Sequence, residues 1–196
     1  MNAVMISVPP NDCKLIADGT KNIILSKTKP KIQVPFVGYI YCTDKKPRDN
    51  SWQYKPNLYK DSSGEIKWID VAFDSIFNCE LLQQKVIGEF ICNRIITAEP
   101  GKYYKIPLEA AQIDAYDLID YANDNTVYGF CISKFKVYDK PKKLSDFKKP
   151  CTAKDLPNDC KFCKFYFPGT AFAEPYCRDG ERELKRPPNG WYYATL

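Results

Sequence analysis

Apolar positions recur along this chain in two rhythms, one helical and one extended, and they divide it into separate pieces. Cys13, Leu15, Ile16 and Ala17 mark the inner face of a short helix that Asn11 or Asp12 can cap. Gly19 stands where a left-handed residue must end it, and everything upstream of Gly19 reads as part of this helical piece. Ile23-Ile24-Leu25 then form the β-branched run of a buried strand, so Lys21 lies in a tight helix-to-strand turn, a place that holds a side chain at the mouth of a cleft. Phe36 to Thr43 is apolar on both faces and predicts a central strand. Turn formers dominate from Asp44 to Gly64, which predicts a long loop rather than a strand pair, anchored by Trp52, Tyr54 and Tyr59.

Further along, residues 66–77 fit either a strand or a short helix. Lys85 to Ile96 predicts a strand, with Gly88 as a bulge that re-aims Glu89 and with charge at Glu89 and Arg94 inside an apolar run. Ile113, Tyr116, Leu118 and Ile119 predict a helix over 108–121 with an apolar stripe facing inward. Val127 to Tyr138 is a second long strand, Leu144 to Phe147 one helical turn, and Arg186 to Tyr193 a turn into a terminal strand that packs Trp191 back onto the domain.

Composition narrows the chemistry. The chain has 196 residues, enough to bury a substantial core, and a net charge of +5, which permits a polyanionic partner. It contains no histidine, so any catalyst must work through Lys, Glu, Asp, Tyr, Ser or Cys. Neither a leader-like start nor a run of membrane-spanning length is present, which predicts a soluble, cytoplasmic protein without a membrane partner. Nine cysteines, an odd number, argue against a disulfide scaffold. Cys13, Cys42, Cys79, Cys92 and Cys131 sit in apolar contexts and predict small buried side chains.

Two clusters carry the candidate chemistry. Cys151, Cys160, Cys163 and Cys177, spaced C-x8-C-x2-C-x13-C in a segment with little core of its own, fit a tetrahedral structural Zn²⁺, with free thiols or a redox pair as the alternatives. No organic cofactor is implied. Lys21, Lys27, Lys29 and Lys31, with the seven lysines between Lys134 and Lys149, can track a phosphate backbone. Trp52, Tyr54, Tyr39 or Tyr41 can stack on unpaired bases. A solvated basic surface is the plainer reading of the same lysines.

Several of these stretches together carry a family likeness. The order helix, Gly19-Thr20-Lys21, strand, Lys27-Thr28-Lys29-Pro30-Lys31 and Pro35 to Thr43 resembles the ASCH domain of the PUA-like superfamily. Lys85 to Phe90, Tyr128 to Ser133 and Arg186 to Trp191 extend the likeness, which is to the branch common in phages and prophages of Gram-positive bacteria. The resemblance implies an α+β fold, a mixed β-barrel with flanking helices over residues 1–150, followed by a Cys-rich zinc-knuckle-like segment over 151–196. It places the protein in a bacterial or phage-infected host cell.

The same resemblance implies RNA or nucleotide binding in a cleft near Lys21, with Ser26, Lys27, Lys29, Lys31, Arg94 and Trp52 as ligand contacts. Two catalytic alternatives come with it. One ASCH-like branch hydrolyses N4-acetylcytidine with a lysine, a threonine and a glutamate; here these positions are Lys21, Ile24 and, as the candidate carboxylate, Glu89. Another is a ribonuclease using Lys, Tyr and Ser, for which Lys21, Tyr41 and Ser133 are the counterparts. The common continuation Gly-x-Lys-Thr-x-Glu-x-Arg meets Asn22, Ile24 and Ser26 at its last three named positions, which weighs against an enzyme. A non-catalytic accessory protein that acts through protein contacts is the third class.

Overall fold

The computed structural model describes residues 3–43, 56–70, 80–150, 181–194 and 196. Chain order begins with β1 (Ala3–Val8), a strand upstream of the first helix where the sequence suggested only helix. All but one of its residues are buried, because it lies inside the main sheet between two neighbours. Helix α1 (Pro10–Ala17) follows, with Pro9 at the N-cap and Pro10 at the first helical position. Neither Asn11 nor Asp12 caps it; proline, which has no N–H to satisfy, opens the helix instead. Gly19 ends the helix at φ 76°, as its sequence position requires.

Next come β2 (Ile23–Ser26), β3 (Phe36–Cys42), β4 (Pro56–Lys60), β5 (Ile66–Asp70), the short β6 (Glu80–Leu81) and β7 (Lys85–Ala98). The end of the predicted long loop is therefore half of a hairpin: β4 pairs antiparallel with β5. Asp61 makes the turn, its carboxylate accepting from the Ser63 and Glu65 amides at 2.9 and 3.0 Å, with Gly64 at φ 88°. The predicted helix over 108–121 is two helices, α2 (Leu108–Ala111) and α3 (Ala115–Ala122). Gln112 turns left-handed at φ 48°, and the Asp114 carboxylate caps α3 by accepting from the Asp117 amide at 2.8 Å. The chain closes with β8 (Val127–Lys142), a 3-10 turn at Leu144–Asp146, β9 (Lys148–Pro150), β10 (Glu181–Glu183) and β11 (Trp191–Ala194).

Six strands form one sheet in the order β11-β1-β3-β7-β8-β2, with β1 parallel to β3 and the other pairings antiparallel. The expected central strand is β3. Register shifts flank Gly88 on both of its neighbours, so the predicted bulge lies where the pairing passes from Val86 to Gly88.

Side-chain alternation gives the sheet two apolar faces. The inner face carries Val4, Ile6, Val8, Ile24, Phe36, Ile40, Cys42, Phe90 and Phe130, and α1 adds Cys13 and Ile16. On the outer face, Ala3, Met5, Tyr39, Tyr41 and Val86 pack under Phe147 and Leu184, while Ile23, Ala98 and Val127 pack under α2 and α3. Both edges of the sheet are joined by side chains: beyond β2, Thr28 accepts through its carbonyl and hydroxyl oxygens from Trp191 Nε1 of β11, at 3.0 and 2.9 Å. The Lys31 amide donates to the Tyr193 hydroxyl at 2.7 Å. The sheet is a curled half-barrel whose gap the segment after β2 crosses.

Candidate nucleic-acid interface

Lys21 sits where α1, α2 and β2 meet. Its amide donates to the Leu15 carbonyl at 2.9 Å, and the neighbouring Asn22 amide donates to Ala110 at 2.9 Å. The side chain is 7% exposed. Its ammonium donates to the Ala111 carbonyl at 2.6 Å and lies 3.2 Å from the Asp12 carboxylate. Ala111 is the last residue of α2, so Lys21 satisfies a carbonyl that the helix leaves without an internal partner.

The other candidate catalytic groups lie on the outer face. Ile23 of β2 faces Cys131 of β8, and the Ile132 amide donates to the Asn22 carbonyl at 2.8 Å; the same register continued brings the Lys21 backbone towards Ser133. Their side chains diverge, however, since Ser133 Oγ donates to the Ile91 carbonyl at 2.9 Å. Glu89 pairs across the sheet with Tyr39 on one side and Lys136 on the other. Its carboxylate accepts from the Tyr138 hydroxyl at 3.0 Å. Burial pushes the Tyr138 hydroxyl far above its ordinary range, and the Glu89 hydrogen bond and charge push it the same way. Tyr39 is raised by burial and then by Glu89. Both shifts hold the phenols in their protonated form, and Tyr138 is the one that donates to Glu89.

Tyr41 is 6% exposed within the same outer cluster, and its ring, like that of Tyr39, offers no open face for a base. Arg94 is exposed opposite Cys131, and among the described residues its guanidinium forms no ion pair with Glu89.

A different set of groups converges after β2. Ser26 is buried, and its hydroxyl donates to the Thr28 carbonyl at 2.7 Å and accepts from the Thr28 amide at 3.2 Å, fixing the bend. Lys27 Nζ stands 5.4 Å from the centre of the Tyr121 ring, and Lys29 Nζ 5.4 Å from that of Tyr128. Trp191 and Tyr193 meet edge to face at 5.5 Å beside Thr28 and Lys31. The result is a row of cations on an aromatic bed. Sequence reasoning had the lysines but not these rings, because Tyr121 of α3, Tyr128, which pairs with Ser26 across β8 and β2, and Tyr193 of β11 come from elements distant in the chain.

Trp52 and the four cysteines proposed for zinc, Cys151, Cys160, Cys163 and Cys177, lie outside the described residues, as does Cys79. Among the described residues no group of His, Cys, Asp or Glu side chains could hold a metal, and no helix is long and apolar enough to cross a membrane. Cys13, Cys42 and Cys92 are buried, as expected. Burial raises the Cys13 thiol well above its ordinary value, with Cys42 and Asp12 adding to it, and pushes Cys92 up to about 11. Cys131 is half-buried.

No protein-family model matches the chain, and no curated protein matches it in sequence. Solved structures do. A crystal structure of ASCH from Zymomonas mobilis superposes with a TM-score of 0.51 at 13% identity, covering 97% of this chain and 86% of that one. Structures of a Tyr-to-Phe and a Ser-to-Ala mutant of the same Zymomonas mobilis protein give the same TM-score of 0.51, at 12% and 13% identity. They cover 97% of this chain and 88% and 87% of theirs. The protein has an ASCH-like, PUA-like α+β fold, as the sequence resemblance implied.

Proposed function

We propose that this protein binds single-stranded RNA or a nucleotide along the segment from Ser26 to Lys31. The observation that carries the reading is the fixed placement of Lys27 over Tyr121 and Lys29 over Tyr128, next to Trp191 and Tyr193. Ammonium groups held in place lose less freedom on meeting a phosphate than free ones, and neighbouring aromatic rings suit bases that are not paired. Lys21 supports this surface from beneath by tying the start of β2 to α1 and α2. The ASCH-like fold agrees with such a role by analogy of fold.

Fluorescence anisotropy with a short single-stranded RNA across a salt series tests the reading. Binding should weaken with salt, and Lys27→Ala with Lys29→Ala should lower the log–log salt slope by about 0.7 per lost phosphate contact. Absence of binding at low salt, or a slope unchanged in the double variant, would reject it.

The hydrolytic alternative finds less support. Lys21 already holds Asp12 and Ala111, Ile24 occupies the position of the hydroxyl, and Glu89 accepts from Tyr138. No acetate release from N4-acetylcytidine is expected.

A further inference from the structure

The helices α2 and α3 present a face that nothing in the described fold covers. Tyr116 is 84% exposed and Ile119 54%, although the helical pattern put both on the buried stripe, and Tyr104, on the 3-10 turn Tyr103–Lys105 before α2, is 79% exposed. Only Leu118 and Ala122 of α3 go inward. Around these apolar side chains stand exposed carboxylates: Glu109, Asp114, Asp117, Asp120 and Asp124. Among the described residues none of them forms an ion pair with a lysine or arginine. Solvated apolar side chains among acids that form no ion pair make a surface that suits a cationic protein partner.

The matching surface is on the same chain. Beyond the middle of β8 lie Lys136, Lys140, Lys143 and Lys149, all exposed, against only Asp139 and Asp146 in the stretch. Asp146 is already occupied in accepting from the Lys143 amide. The two surfaces lie toward opposite ends of β8: Val127, at its start, packs with α2 and α3, and Lys142 ends it.

We propose that a second copy of this chain docks there head to tail, the lysine-bearing end of one molecule on the acidic, tyrosine-rich α2–α3 face of the next. The contact is heterologous, so a docked pair keeps one free surface of each kind, the acidic face on one copy and the basic end on the other. It does not rest on the RNA-binding reading, which uses the Lys27–Lys31 segment and, of α3, the Tyr121 ring beside Lys27.

Sedimentation velocity of the full chain tests it. In low salt the sedimentation coefficient should rise with concentration up to about 500 µM, as a weak contact predicts, and fall back to the monomer value in high salt. Two variants separate the surfaces: Tyr116→Ser with Asp120→Asn blunts the acidic face, and Lys140→Gln with Lys143→Gln blunts the basic one. All four positions are solvent-exposed, so both variants should keep the wild-type circular dichroism. Each should be monomeric alone, and an equal mixture should form a 1:1 complex that grows no further.

A wild-type chain that stays monomeric throughout overturns the proposal. So does a lysine variant that still self-associates, since that would mean two α2–α3 faces meet each other. If RNA abolishes the association in wild type while the mixed variants fail to pair, the basic end serves RNA instead and the proposal also falls.

Discussion

Lys21 is the residue on which the first half of the chain converges, and its energetics follow from its partners. Removing the ammonium leaves the Ala111 carbonyl without its donor in a buried setting and Asp12 without its cation. Lys21→Ala should therefore cost about 1–3 kcal/mol, read as a shifted urea midpoint. Lys21→Met keeps the stem and isolates the charge. If Lys21 only supports the RNA surface, Lys21→Met should lose stability while the salt slope of RNA binding stays at the wild-type value.

A second residue-scale effect concerns pH. Cys92 titrates near 9 when exposed and is pushed up to about 11, chiefly by burial. The folded state thus holds a proton that the unfolded chain gives up. Stability should be full below pH 9 and fall as pH rises towards 11. Urea titrations at stepwise alkaline pH should show that decline, and Cys92→Ala should make it shallower. With no histidine in the chain, no comparable step arises from histidine between pH 5 and 8.

At the scale of elements, β7 meets β3 on one side and β8 on the other so closely that each contact requires a glycine. A Cβ on Gly38 would fall on the Phe90 ring, and one on Gly88 on the Lys136 carbonyl. Overpacking of this kind costs about 1–3 kcal/mol, so both Gly38→Ala and Gly88→Ala should destabilise. The neighbours differ in kind. Phe90→Leu should recover part of the loss at Gly38, seen as non-additivity in a double-mutant cycle, because a side chain can make room. No side-chain change at 136 should rescue Gly88→Ala, since the obstacle there is backbone.

For the whole molecule, the decisive contact is the one that bridges the two edges of the sheet. Trp191 reaches from β11 to Thr28, and Tyr193 reaches to Lys31. Trp191→Phe keeps an aromatic ring but removes the indole N–H, whose bifurcated hydrogen bond to Thr28 is worth about 1 kcal/mol. The Lys31 amide should then exchange hydrogen faster, and RNA affinity should drop although no lysine has changed. Unaltered exchange at Lys31 would mean that Tyr193 and the packing of Ile32 hold the segment unaided.

What the sequence determined by itself was local. The Gly19 stop, the buried run of β3, the bulge at Gly88, the turn at Leu144 and the terminal strand bearing Trp191 each follow from a few neighbouring residues, because backbone preference and side-chain period act over short distances. The order of those motifs was enough to indicate the ASCH-like fold. Where a local signal was ambiguous, reading failed: β1 is a short apolar run whose separation from α1 rests on Pro9-Pro10 alone, Pro56–Lys60 lies among turn formers, and the stripe of 108–121 conceals the break at Gln112. Tertiary structure alone decided which rings stand under Lys27 and Lys29, that the Lys21 ammonium faces Asp12 and Ala111, and that Tyr116 and Ile119 face water. Each of those depends on how the curled sheet places elements that lie up to 163 residues apart in the chain, and no pattern within one segment encodes that placement.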